Sequence, residues 1–283
     1  MSATRTQTRS EDEQPDEAES SGRLIALTST LGGLGATTLT LMLARALSAQ
    51  GVRVAVVDAD PAGGLGMHLG DRLARGLVWA DVPREETSFR AAHLTRALPV
   101  WCGCRVLTGD GRGGPESPER LPAVLDALAA EQDVVLVDLP RAWEPPPGAD
   151  TLLLTGRDLR SAVAAQVRAS RLAPRPGTLS LVVRQLGQDL SDTELATFTG
   201  CVVLARFPED RSVRQRAARG DDVTCGRGAT RRAARFLASC LRGGSGVEPG
   251  WLLDAGPGWG DEDPEDWGLQ WEPLGAPGLR DLR

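Results

Sequence analysis

Residues Arg23 to Gly51 constrain the fold more than any other stretch of the chain. They read as an apolar run (RLIALTST), a glycine-rich turn (LGGLGA) and a longer segment with helical apolar spacing (TTLTLMLARALSAQG) that stops at Gly51. The apolar run does not alternate with polar residues, so a strand there is buried on both faces. The same alternation of elements then repeats. Further strand-like runs are VRVAVVDAD, CRVLTGD, DVVLVDLP, DTLLLTGR, LSLVVRQ and CVVLARFPED. Between them lie helix-patterned stretches such as SPERLPAVLDALAAEQ, DLRSAVAAQVRASRLA and RSVRQRAARG. Buried strands separated by helices predict an α/β fold, a doubly wound and mostly parallel sheet flanked by helices. In such a sheet, ligands bind beyond the carboxyl ends of the strands.

The chain has 283 residues, enough for one sizeable domain with tails. Residues 1–22 are polar and acidic, have no apolar period and are expected to be disordered. The domain is expected to span residues 23–242, with ATRRAARFLASCLRGG as its last helix. Residues 243–283 form an acidic tail rich in Gly, Pro and Trp, with Trp251, Trp259, Trp267 and Trp271 suited to contacts with a partner or to docking back on the domain.

The net charge of −6 is concentrated at the ends, nine acids against two Arg in the last 41 residues, which leaves the middle mildly basic. That gives no strong signal for nucleic acid. Five cysteines without paired CxxC spacing or a preceding secretory signal predict a reduced, cytoplasmic protein. The Cys102/Cys104 pair lacks further metal ligands, and His68 and His93 are expected to be structural. No apolar run approaches the roughly 20 residues of a membrane span, so membrane association is at most peripheral.

A phosphate loop needs glycines that let backbone N–H groups approach the anion, a helix N-terminus, a lysine that bridges the phosphates, and a Ser or Thr hydroxyl on Mg²⁺. TLGGLGATT supplies Gly32, Gly33 and Gly35, with Thr37 at the metal position and Thr38 beside it, but Ala36 stands where the lysine belongs. The chain contains no lysine, asparagine or tyrosine at all, yet arginine was available as a cation and is not used at position 36. Asp58 and Asp60 close the second strand and Asp138 closes DVVLVDLP, a position from which a carboxylate holds Mg²⁺.

The stretches TSTLGGLGATTLTLMLARAL, VAVVDADPAGGLGMHLG, GLVWADV, DVVLVDLPR and LARFPEDRSVRQRAARGD together resemble the MinD/ParA family of deviant Walker ATPases, and within it the actinobacterial CpaE/TadZ-like branch often called septum site-determining protein (Ssd). The family loop reads KGGxGK[ST]; here Leu31 replaces the signature lysine and Ala36 the phosphate lysine. The resemblance implies that Gly32, Gly33, Gly35, Ala36, Thr37 and Thr38 surround the phosphates of ATP, and that Thr37, Asp58 and Asp138 serve the Mg²⁺ ion. It implies further that Asp60 is the catalytic carboxylate that orients water. Arg184 in LVVRQ falls where the family reads adenine with an asparagine. A homodimer and a protein partner from the division or Tad/Flp pilus and secretion machinery are implied as well.

The missing lysines act on binding and on chemistry with different weights. A charge-assisted hydrogen bond is worth about 1.5–3 kcal/mol, so binding weakens roughly 10- to 100-fold per lysine and persists. Loss of a cation acting on the transition state costs on the order of 10³–10⁵ in rate. The expectation is a regulator of septum placement or pilus assembly that binds nucleotide with little or no hydrolysis. Its rivals are a slow ATPase in which an arginine such as Arg141 or Arg211 replaces the lysine, and a nucleotide-free scaffold.

Overall fold

The computed structural model of the chain describes residues 21–70, 73–186 and 189–242. The expectations for residues 1–20 and for the tail from 243 to 283 therefore lie outside the described residues.

Among the described residues, eight strands form one sheet. They are β1 (Arg23–Ser29), β2 (Val54–Asp58), β3 (Val100–Trp101), β4 (Cys104–Leu107), β5 (Val134–Asp138), β6 (Asp150–Thr155), β7 (Leu179–Arg184) and β8 (Val202–Phe207). The helices are α1 (Ala36–Ala49), α2 (Ala91–Ala97), α3 (Leu121–Ala129), α4 (Leu159–Leu172), α5 (Asp192–Thr199), α6 (Arg211–Arg219) and α7 (Ala229–Arg242). The strand order is β3-β4-β2-β5-β1-β6-β7-β8, and every pair is parallel except β3 with β4. The chain winds from β1 outward to β2 and β4, returns to β5, then crosses β1 to build β6, β7 and β8. This is the doubly wound, mostly parallel architecture that the buried apolar runs predict, and it sets β1 and its following loop at the centre of the sheet.

Residue alternation sorts the core into two layers. Ile25 and Leu27 of β1, with Val54, Val56, Leu136 and Leu152, pack under α1 and α7. The intervening Ala26, Ala55, Val57, Val135 and Val137 pack against α3 and the segment around Trp79 and Leu94, and Leu153, Leu181 and Val183 lie against α4 and α5. Apolar side chains thus cover both faces, which is why the strands do not alternate in sequence. Several helices begin on side-chain caps: Asp158 accepts from the Ser161 N–H, Asp210 from the Ser212 N–H, and Ser191 with Glu194 forms a capping box. At the other end of the sheet, Arg23 bonds both Asp150 (2.5 Å) and the Leu241 carbonyl (2.8 Å), fixing the end of α7 to β1 and β6.

The sequence runs predict seven parallel strands; β3 is additional and antiparallel. It is only two residues long and turns into β4 through Cys102 and Gly103, both with positive φ (48° and 82°). WCGC is thus a hairpin. Trp101 and Cys104 point into the core, and burial pushes the Cys104 thiol up to about 12. Among the described residues no group of three His, Cys, Asp or Glu side chains is placed to hold a metal ion on its own, and no helix is long and apolar enough to cross a membrane.

Candidate nucleotide site

The loop between β1 and α1 opens at the carboxyl end of the central strand. Its first limb is tied to β6, because the Thr30 N–H donates to the Leu154 carbonyl (2.9 Å) and the Thr30 hydroxyl to that of Thr155 (3.2 Å). Its second limb enters α1 at Gly35, whose φ of +93° is a conformation that an L side chain adopts only with strain. No acidic residue stands in the first turn of α1. The positive end of the helix and its unpaired N–H groups are therefore left to an external anion.

On the outer side of the loop, a side chain built at Gly32 or Gly33 would meet no atom within 4 Å. Leu31 and Ala36, at the two lysine positions, instead pack against the core beneath α1, alongside buried Leu34. The backbone cradle fits a phosphate group, whereas the loop itself supplies no cation. Thr37 and Thr38 stand half-buried at the start of the helix.

The carboxylates gather on the same rim. Asp138 on β5 stands in register with Asp58 on β2 and is almost wholly buried. Burial raises its pKa to about 7, aided by the charges of Asp58 and Asp60 and opposed by the facing Thr37 and Thr40 hydroxyls. Asp138 and the Thr37 hydroxyl thus face each other across the rim. Asp58 is also buried, and burial raises its pKa. Its Oδ2 accepts from the Thr108 hydroxyl (2.8 Å) and the Leu65 N–H (3.2 Å), its Oδ1 from the Asp60 N–H (3.1 Å), and its carbonyl from the Trp79 indole (2.6 Å). This carboxylate organises the turn that carries Asp60. Asp60 itself is exposed and accepts from the Ala62 N–H (2.9 Å). A neighbouring loop braces that turn: the Gly114 N–H donates to the Pro61 carbonyl (2.8 Å), and a β-carbon at Gly114 would lie 2.0 Å from the Asp60 carbonyl.

Of the arginines, Arg141 is exposed in the turn after β5 and Arg211 is exposed at the first position of α6. Arg184, at the end of β7, is half-buried beside Phe207. Its guanidinium lies 5.0 Å from the centre of the Phe207 ring and donates to the Pro208 carbonyl (2.7 Å), while the Phe207 ring edge stands 3.9 Å from where a Gly35 β-carbon would project. His68 is half-buried near Asp58, with its pKa lowered by burial and its Nδ1 unpartnered. Thr108, Trp79 and Phe207 are site residues that spacing did not single out, although Thr108 also closes a strand, β4, at the same rim.

The CobQ/CobB/MinD/ParA nucleotide binding domain model matches residues 25–223, from the core of β1 to beyond α6. The chain belongs to the MinD/ParA family. The MinD/ParA chain is 30% identical over 236 residues to an uncharacterized Mycobacterium tuberculosis protein, Rv3660c, covering 81% of this chain. It spans 64% of that relative's length. Among solved structures it is similar to the MinC:MinD cell division protein complex of Aquifex aeolicus, at TM-score 0.63 and 20% identity over 79% of this chain and 97% of that one. It is likewise similar to the septum site-determining protein MinD complexed with Mg-ADP from Pyrococcus horikoshii OT3, at TM-score 0.59 and 19% identity over 78% and 96%. These likenesses establish a MinD/ParA fold, in which the loop at Gly32–Thr38 occupies the centre of the sheet.

Proposed function

We propose that this MinD/ParA-family protein is a nucleotide-binding regulator that holds Mg²⁺-ATP with little or no hydrolysis, and that it acts in septum placement or in Tad/Flp pilus assembly and secretion. The observation that carries this reading is the contrast within one loop. The open backbone face at Gly32 and Gly33, the helix start and the Thr37–Asp138 pair are all present, whereas half-buried apolar Leu31 and Ala36 pack against the core at the positions where the family has cations. The Gly32–Thr38 backbone would hold the phosphates, and Thr37 with Asp138 would hold Mg²⁺, directly or through water, as few protein ligands as Mg²⁺ commonly takes. Asp58 would support the Asp60 turn through its own hydrogen bonds, and Asp60 would face the water. When bound, Mg²⁺ supplies the positive charge that offsets the carboxylates and the phosphates. Without a lysine on the transferring group, the transition state lacks one of the cations that would stabilise it while the ground state keeps its backbone bonds.

A chain that binds without turnover regulates through standing protein contacts, with nucleotide shifting them by its differential affinity for two states. Homodimerisation and a partner from the division or secretion machinery belong to this reading. It is supported by the MinD likeness and tested by following a fluorescent fusion in cells that lack either machinery. A second reading, slow hydrolysis with an arginine in the lysine's role, is favoured at Arg184 over Arg141 and Arg211 because Arg184 sits over Phe207, whose ring edge lies 3.9 Å from where a Gly35 β-carbon would project. Steady-state phosphate release from wild type, Arg184→Ala and Asp60→Ala separates the two.

A further inference from the structure

Helix α4 buries one side and carries a second apolar side outward. Ser161, Ala162, Ala165, Ala169 and Leu172 form its buried face. On the opposite side Leu159, Val163 and Val167 are 62%, 46% and 48% exposed. Their spacing of four residues sets them in one row, about 12 Å long, on the outer surface of the helix. A surface helix ordinarily turns polar residues to water. Single exposed apolar side chains are common, whereas a row at helical spacing is the pattern that anchors a second helix.

The charges beside the row specify the occupant. From Leu159 to Arg175 the chain has four arginines and no acid. Arg168 and Arg175 are both paired with Glu144 from outside the helix. Arg160 and Arg171 are exposed, and the helical repeat puts both on the same flank of the row, about 16 Å apart along the axis. A second copy of α4 laid along this row, parallel or antiparallel, brings arginine toward arginine, so the charges oppose self-pairing. A helix with apolar residues at i, i+4 and i+7 and carboxylates along one flank matches both the apolar row and the two guanidiniums.

We infer that the outer face of α4 is a docking surface for an acidic amphipathic helix of a partner protein, with Leu159, Val163 and Val167 as its apolar floor and Arg160 and Arg171 facing the partner's carboxylates. The inference rests on the reading of the chain as a regulator that acts through standing protein contacts, and it adds the surface and the chemistry of the partner. Docking itself requires no nucleotide.

The test is fluorescence anisotropy on the full-length protein without nucleotide, using two labelled synthetic helices. One has leucines at i, i+4 and i+7 with glutamates along one flank; the other has lysines in place of the glutamates. Docking predicts saturable binding of the acidic helix, tighter than that of the basic helix by roughly tenfold or more. Val163→Glu is expected to weaken the acidic helix by a similar factor, and Arg160→Ala/Arg171→Ala to abolish the preference between the two helices. These side chains are exposed, so the variants leave the core intact, which a native-like unfolding transition verifies. Equal binding of the two helices, binding unaffected by Val163→Glu, or no binding at submillimolar protein overturns the inference. A concentration-dependent dimer in sedimentation that Val163→Glu abolishes assigns the row to a second copy and overturns it as well. Each of these results is obtained without nucleotide, so failure of the docking surface is distinguished from failure of Mg²⁺-ATP binding, which is read by a separate titration.

Discussion

Asp138 and Asp58 stand opposite each other in register on adjacent strands, and both are buried. Burial, with a smaller push from the charge of Asp58, lifts the Asp138 carboxyl to about 7. In the unfolded chain this group titrates near 3.8. Between those values the folded protein binds the extra proton, so stability is greatest at the acid end of the window and falls as pH rises from about 4 to about 7. The span corresponds to a few kcal/mol. Asp138→Asn is expected to flatten this dependence and to raise stability at pH 7.5, as read from urea midpoints across pH without Mg²⁺ or nucleotide. A wild-type midpoint that rises from pH 4.5 to 7 specifically through Asp138 would contradict the assignment.

The indole of Trp79 holds the Asp58 carbonyl and the Thr108 hydroxyl holds its carboxylate. Thr108→Val removes the shorter of the two hydrogen bonds to the buried Asp58 Oδ2 and leaves it only the Leu65 N–H, at a cost of about 1–3 kcal/mol. Trp79→Phe has a similar cost with an added packing loss. Chemical denaturation reads both, and a change below about 0.5 kcal/mol in Thr108→Val would show that the Asp58 turn is held by other contacts.

Gly35 holds α1 at φ +93°. Gly35→Ala is expected to cost about 1–2 kcal/mol through the backbone alone, since the new β-carbon meets Phe207 only at 3.9 Å. Nucleotide affinity should fall with it, because the N–H groups of the loop lose their alignment. Equal affinity in wild type and Gly35→Ala, measured by titration calorimetry at matched folded fractions, would separate the cradle from binding.

Much of this was legible in the sequence because parallel strands buried on both faces leave continuous apolar runs, as at RLIALTS and VVLVD, and because β1, β2 and β5 end at the glycine loop or on aspartates. The β3 hairpin was not legible, because two residues carry no period and Trp101-Cys102-Gly103-Cys104 reads as a cysteine motif before it reads as a turn. The bracing of Asp58 by Thr108 and Trp79 was hidden for another reason: these residues lie 50 and 21 positions away and meet it only through the β2–β4 pairing and the packing of the segment 77–82. The stack of Arg184 on Phe207 likewise depends on the β7–β8 register.

If the apolar residues at the two lysine positions are what limits the site, returning the cations should recover it. Leu31→Lys with Ala36→Lys is expected to tighten Mg²⁺-ATP binding by roughly 10- to 100-fold per lysine. Part of that gain will be offset by burying less apolar surface at Leu31. No gain in affinity, in a variant with a native-like unfolding transition, would place the limitation elsewhere.

The central claim is binding without turnover, and the most direct measurement is a paired one on the same wild-type sample: Mg²⁺-ATP titration and steady-state phosphate release. The prediction is saturable binding between micromolar and millimolar ATP, with phosphate release on the order of 10³-fold or more below that of lysine-bearing relatives and insensitive to Asp60→Ala. Turnover comparable to those relatives and abolished by Asp60→Ala, or no binding at millimolar ATP, would contradict it.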